Sequence, residues 1–127
     1  MRNRSLIIVL AILLQGCDPA KTLVIEAGSK GDSVKVIANE KLLPFNNNNE
    51  GKIVITVPSG DTMRKVFHYE MGGWSDKALI DLASKIDSIH IENGSGKISI
   101  SDPDKIVAYL KNHQSGWAGS ILTISTK

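Results

Sequence analysis

The chain has 127 residues, with 15 lysines and arginines against 13 aspartates and glutamates, a formal net charge of +2 and a single cysteine. That length suits one domain, and one cysteine rules out an internal disulfide. Arg2 and Arg4 account for the whole net charge, so the chain from Cys17 onward is formally neutral, with scattered lysines and no basic run. Such a surface argues against nucleic acid and against electrostatic binding to anionic lipid.

The first residues, MRNRS, are basic, and LIIVLAILL follows as nine uninterrupted apolar residues. A basic segment before an apolar run of ~7–15 residues has the form of an export signal, and nine falls well short of the ~20 that span a bilayer. The run is apolar all round, with no polar face at helical spacing, which sets it apart from an amphipathic core helix. At its end, Leu14-Gln15-Gly16-Cys17 resembles the lipobox of bacterial lipoproteins. Leu14, Gly16 and Cys17 match that pattern; Gln15 departs from it, since a small or hydroxyl residue is commoner there. The resemblance covers the first ~20 residues, the usual range of export signals, and implies nothing about the domain that follows.

What the resemblance implies is cleavage before Cys17, a diacylglycerol thioether on its sulfur and an amide-linked acyl chain on its new amino group, with no other cofactor. The residue type suits that chemistry, because a thiol is a good nucleophile near neutral pH and more than one chain is needed for stable anchoring. By the same resemblance, Asp18 is a sorting residue. In enteric-type Gram-negative lipoproteins an aspartate at that place accompanies retention on the periplasmic face of the inner membrane. In an organism without an outer membrane, the anchor places the domain on the outer face of the cell membrane. The expected organisation is a signal peptide at 1–16, a short lipidated tether at 17–21 and one domain at 22–127.

Within the domain, TLVIEA and SVKVIAN are β-branched runs separated by GSKGD, whose glycines and aspartate suit a hairpin turn. LLPFNNNNEG follows, and its four asparagines make 46–51 an exposed loop. KIVITV places Ile53, Ile55 and Val57 on one face; PSGD turns the chain; TMRKVFHYE then alternates Met63, Phe67 and Tyr69 with Arg64, His68 and Glu70. Gly72 and Gly73 end that strand, and Ser75 caps a helix whose apolar stripe is Leu79, Leu82, Ala83 and Ile86. SIHIENGSGKISIS is the clearest hairpin, with Ile89, Ile91, Ile98 and Ile100 on one side of an Asn93-Gly94 turn signal. A second helix opens with Asp102 as cap and Pro103 at its first position, with Ile106, Val107 and Leu110 facing inward and Gly116 beyond its end. SILTIST closes the chain as a strand. The order β-β-β-β-α-β-β-α-β predicts an α+β fold, an antiparallel-rich sheet with two helices on one face.

Catalytic patterns are hard to find. His68, His90 and His113 fall in three different elements with no zinc-ligand spacing. No Gly-x-Ser-x-Gly elbow occurs, and GSGK at 94–97 lacks the spacing of a phosphate loop and leads into a strand. Glu26, Asp61, Glu70 and Glu92 are acids that a fold could bring together. His68 and Glu70 are expected on one strand face, ~6.6–6.8 Å apart along the strand, a spacing shared by ligand sites and by solvated faces. Trp74 and Trp117 stand in glycine-flanked loops at helix boundaries, positions that suit either an interaction surface or a plug at the helix–sheet seam.

These residues predict a membrane-anchored module without enzymatic activity or metal, with a protein partner in the envelope, either a complex or a toxin to which it gives immunity. The alternative is a structural or assembly lipoprotein binding glycan or lipid on an exposed sheet face; a small hydrolase ranks third. The candidate interaction residues are Arg64, His68, Glu70, Trp74 and Trp117.

Overall fold

The computed structural model describes residues 19–39, 53–57 and 63–127. Eight strands and two helices follow in the order β1 (Ala20–Ala27), β2 (Ser33–Ala38), β3 (Ile53–Val57), β4 (Met63–Met71), α1 (Asp76–Ser84), β5 (Ile86–Asn93), β6 (Gly96–Ile100), α2 (Pro103–Asn112), β7 (Gln114–Ser115) and β8 (Ile121–Ser125), with a 3-10 turn at Trp117–Gly119. The fold is α+β and mostly antiparallel. Its strands divide into two four-stranded sheets, ordered β4-β1-β8-β7 and β3-β2-β5-β6, and β1–β8 is a parallel pair.

Two sheets where one was expected change the reading of the first connection. β1 and β2 are not hairpin partners: β1 pairs with β4 and β8, and β2 with β3 and β5. The turn between them carries the chain from one sheet to the other, with Gly31 at φ 91° and the Asp32 amide donating to the Ser29 carbonyl. The physical reason is burial. Leu23, Ile25 and Ala27 of β1 and Val34, Val36 and Ala38 of β2 all belong to one core, and separate sheets let the two apolar faces oppose one another. β3 and β4 likewise lie in different sheets, and the turn joining them falls outside the described residues.

The helices close the same core. Each contacts β5, α2 also contacts β8, and the two pack against one another. Ser75 caps α1 by accepting from the Ala78 amide, and Leu79, Leu82 and Ala83 are buried. Ile86 is buried too, but as the first residue of β5. Asp102 caps α2 by accepting from the amides of Asp104 and Lys105, and Ile106 and Leu110 are fully buried. The β5–β6 hairpin pairs Ile89 with Ile100 and Ile91 with Ile98, closing around Gly94-Ser95. Ile98, on an edge strand, stays exposed although its partner is buried.

Strand direction fixes which residues share an end of the first sheet. Since β8 runs parallel to β1 while β4 and β7 run antiparallel to that pair, Ala20, Met71, Ser115 and Ile121 lie at one end. Ala27, Met63 and Ser125 lie at the other, where the Gly28 amide donates to the Thr126 hydroxyl and the Asn93 side chain to the Thr126 carbonyl.

Candidate functional site

Leu14, Gly16, Cys17 and Asp18 lie outside the described residues, as does the asparagine loop. The described residues begin at Pro19. The Gly72 amide donates to the Pro19 carbonyl at 2.7 Å, and β1 starts at Ala20, so Ala20 and Lys21 are already part of the first sheet.

The outward face of the first sheet assembles three rows across β4, β1 and β8. The register aligns Arg64 with Glu26 and Ser125, Val66 with Val24 and Thr123, and His68 with Thr22 and Ile121. Leu23, Ile25 and Ala27 occupy the alternate positions and point into the core, so strand geometry sends these nine side chains the other way. In the first row, Glu26 stands 4.0 Å from the Arg64 guanidinium and accepts from the Ser125 hydroxyl at 3.4 Å. Arg64 is largely solvated, which makes this a loose, screened pair that orients more than it stabilises. In the middle row Val24 is 2% exposed, covered between Thr123 and Val66, and Val66 is 41% exposed. In the third row, the Thr22 hydroxyl donates to the Ala20 carbonyl at 3.1 Å and lies 3.4 Å from His68 Nδ1, a contact in which the imidazole N–H is then the donor.

Glu70 does not extend this grid. The β1–β4 register slips by one residue between Thr22–His68 and Ala20–Met71, so Glu70, exposed like His68, has no register partner in β1.

The two tryptophans separate. Trp74 is 7% exposed and belongs to the core, so it leaves the interaction surface expected of it. Its indole N–H donates to the Thr22 carbonyl at 3.2 Å, and its ring meets Tyr69 edge to face at 5.3 Å. Tyr69 has a buried hydroxyl with no hydrogen-bond partner among the described residues, and burial pushes its pKa up to about 12. Trp117 is 64% exposed.

The remaining polar candidates do not converge. His90, on the outer face of the second sheet, is held between the Ser88 and Ser99 hydroxyls at 3.0 and 2.9 Å. His113 donates from Nδ1 to the Tyr109 carbonyl at 2.7 Å and stacks on the Tyr109 ring. Burial raises the pKa of Tyr109, opposed in part by the backbone hydrogen bond from Ser125. Glu92 pairs with Lys97 on the second sheet, away from Glu26, and Asp61 lies outside the described residues. Among the described residues no three metal-ligating side chains cluster, and no helix is long and apolar enough to cross a membrane.

Sequence reasoning overlooked Val24, Val66, Thr123 and Ser125. β1 reads as an undivided apolar run, and only its register with β4 and β8 shows which residues face outward. Comparison with models of protein families, with curated proteins and with solved structures finds no match to this chain.

Proposed function

We propose that the chain is a membrane-anchored bacterial lipoprotein, held by acyl groups on Cys17 at the periplasmic face of the inner membrane or the outer face of a single membrane. Its small domain is a protein-binding module without catalytic activity. An accessory of an envelope complex and an immunity protein against a toxin are the two roles this reading serves. The observation that carries it is the outer face of the first sheet, where the exposed Val66 lies between a row with a charged pair and a row with His68. An apolar centre with a polar rim is the composition of a protein interface. Burial of Trp74 weakens the glycan alternative, because a sugar groove on this face would draw on an aromatic platform beside it.

Two measurements test the parts separately. A Cys17→Ser variant is expected to accumulate unprocessed and to take up no labelled palmitate; normal processing and acylation would end the lipoprotein reading. A photo-crosslinking residue at Val66 in intact cells is expected to capture a discrete protein that the same residue at Lys97, on the second sheet, does not. Capture of no protein above background from either position would overturn the binding reading.

A further inference from the structure

We propose that the domain stands on the bilayer by one end of its first sheet, with Trp117 and Met71 seated in the lipid headgroup layer. This rests on acylation of Cys17 and adds an orientation to it. The chain leaves the fold at that end: Pro19 is hydrogen-bonded to Gly72, directly after Met71, and the Thr22 amide donates to the Ser120 carbonyl at 2.8 Å. Cys17 precedes Ala20 by three residues, a reach of at most about 10–11 Å in extended chain. The headgroup layer is itself roughly 5–7 Å deep on each side of the bilayer. An anchor that short holds this end against the surface.

The exposed apolar side chains are distributed to match. Trp117 at 64% and Met71 at 61% are the two most exposed large hydrophobic residues among those described, ahead of Ile80 at 59%, and both lie at the tether end. The opposite end carries Lys30, Lys127 and the polar turn after Asn93, with Met63 at 40% and Ile98, on the hairpin strand beyond that turn, at 53% as less exposed apolar residues.

Trp117 is also held in place. Gly116 at φ 77° and Gly119 at φ 63° bracket its turn, and Ala118 at φ 55° occupies the left-handed region that a residue with a Cβ adopts at a cost. The Gln114 amide donates to the carbonyls of both Gly119 and Trp74 at 2.9 Å, tying the turn to the core. A tryptophan fixed outward at a membrane-proximal edge has the amphipathic ring and the preorganisation that an interfacial anchor uses. Charge contributes little here. Lys111 pairs with Asp76 at 3.3 Å, and Lys21 lies 6.0 Å over the Trp74 ring, so the contact is apolar and does not need anionic lipid.

The test uses the full-length acylated protein in phosphatidylcholine vesicles, with or without brominated acyl chains as quenchers of tryptophan emission. Mass spectrometry of the same sample establishes acylation at Cys17. The wild type is expected to lose emission on brominated vesicles at low and high salt alike. A Trp117→Phe variant, which retains only the core Trp74, is expected to lose none. Acylated protein whose emission is indifferent to the bromine would overturn the orientation while leaving the anchor intact. Protein without acyl chains would overturn both. A photo-crosslinking residue at position 117 that captures a protein in native membranes, without bromine quenching, would replace the bilayer with a protein partner.

Discussion

The loops carrying the two tryptophans look alike in sequence and end in opposite environments. Trp74 follows Gly72-Gly73, and Trp117 sits between Gly116 and Ala118-Gly119. Both precede a regular element at the same end of the first sheet, and the Trp74 amide donates to the Gly119 carbonyl at 3.1 Å, so the loops touch. Yet one ring is enclosed by the core, edge-on to Tyr69, and the other stands in solvent. What separates them is the space each loop is given. The Trp74 loop leads from β4 into a helix across the core, whereas the Trp117 turn rides on the outer edge beside β7. A glycine-flanked tryptophan therefore says that a bulky ring sits where the backbone turns, and nothing about which side of the backbone it takes.

The largest expected difference between the two is in stability. Trp74→Ala removes a buried ring and should cost about 3–5 kcal/mol, while Trp117→Ala should stay within about 0.5 kcal/mol of wild type, as exposed sites do. Chemical denaturation followed by circular dichroism measures both; equal losses would erase the distinction.

Alkaline pH probes the same wall of the core through Tyr69. Its folded pKa of about 12 lies above the ordinary 10.0, so the folded state holds this proton after the unfolded state has released it. The associated stability is complete below pH 10 and is lost as pH rises toward 12, about 2–3 kcal/mol at ~1.36 kcal/mol for each tenfold change in proton affinity. A Tyr69→Phe variant should flatten much of this slope in unfolding free energy against pH, leaving the part due to Tyr109. A slope unchanged by Tyr69→Phe would place the buried proton elsewhere.

A smaller effect belongs to Gln114, whose amide joins the two loops. Gln114→Ala removes two hydrogen bonds and should lower stability by about 1–3 kcal/mol, at ~0.5–1.5 kcal/mol for each bond. In a cycle with Trp117→Ala the energies should be non-additive if the turn depends on this link, and additive if it does not.

Much of the fold is legible in the amino-acid order because it depends on short-range chemistry. Ser75 and Asp102 cap their helices as their side-chain oxygens dictate, the β5–β6 hairpin forms where its turn residues cluster, around Gly94-Ser95, and Leu122 and Ile124 alternate inward on the last strand. Less of the candidate surface can be read. Arg64 and His68 are visible in an alternating strand, but their partners Glu26 and Thr22 lie 38 and 46 residues away and meet them only through antiparallel pairing. Glu70 follows His68 in the strand alternation but falls where the register slips, and a bulge depends on how two strands must fit.

The sequence by itself determined the α+β class and where each helix starts, since these rest on local composition, capping and periodicity; it could not tell that the first helix stops before Ile86. Only the tertiary structure decided that β1 and β2 part into different sheets, that Val24 and Glu26 look outward, and that Trp74 is enclosed while Trp117 is not. Those outcomes turn on which apolar faces bury one another, a choice made between distant segments by the area they remove from water together.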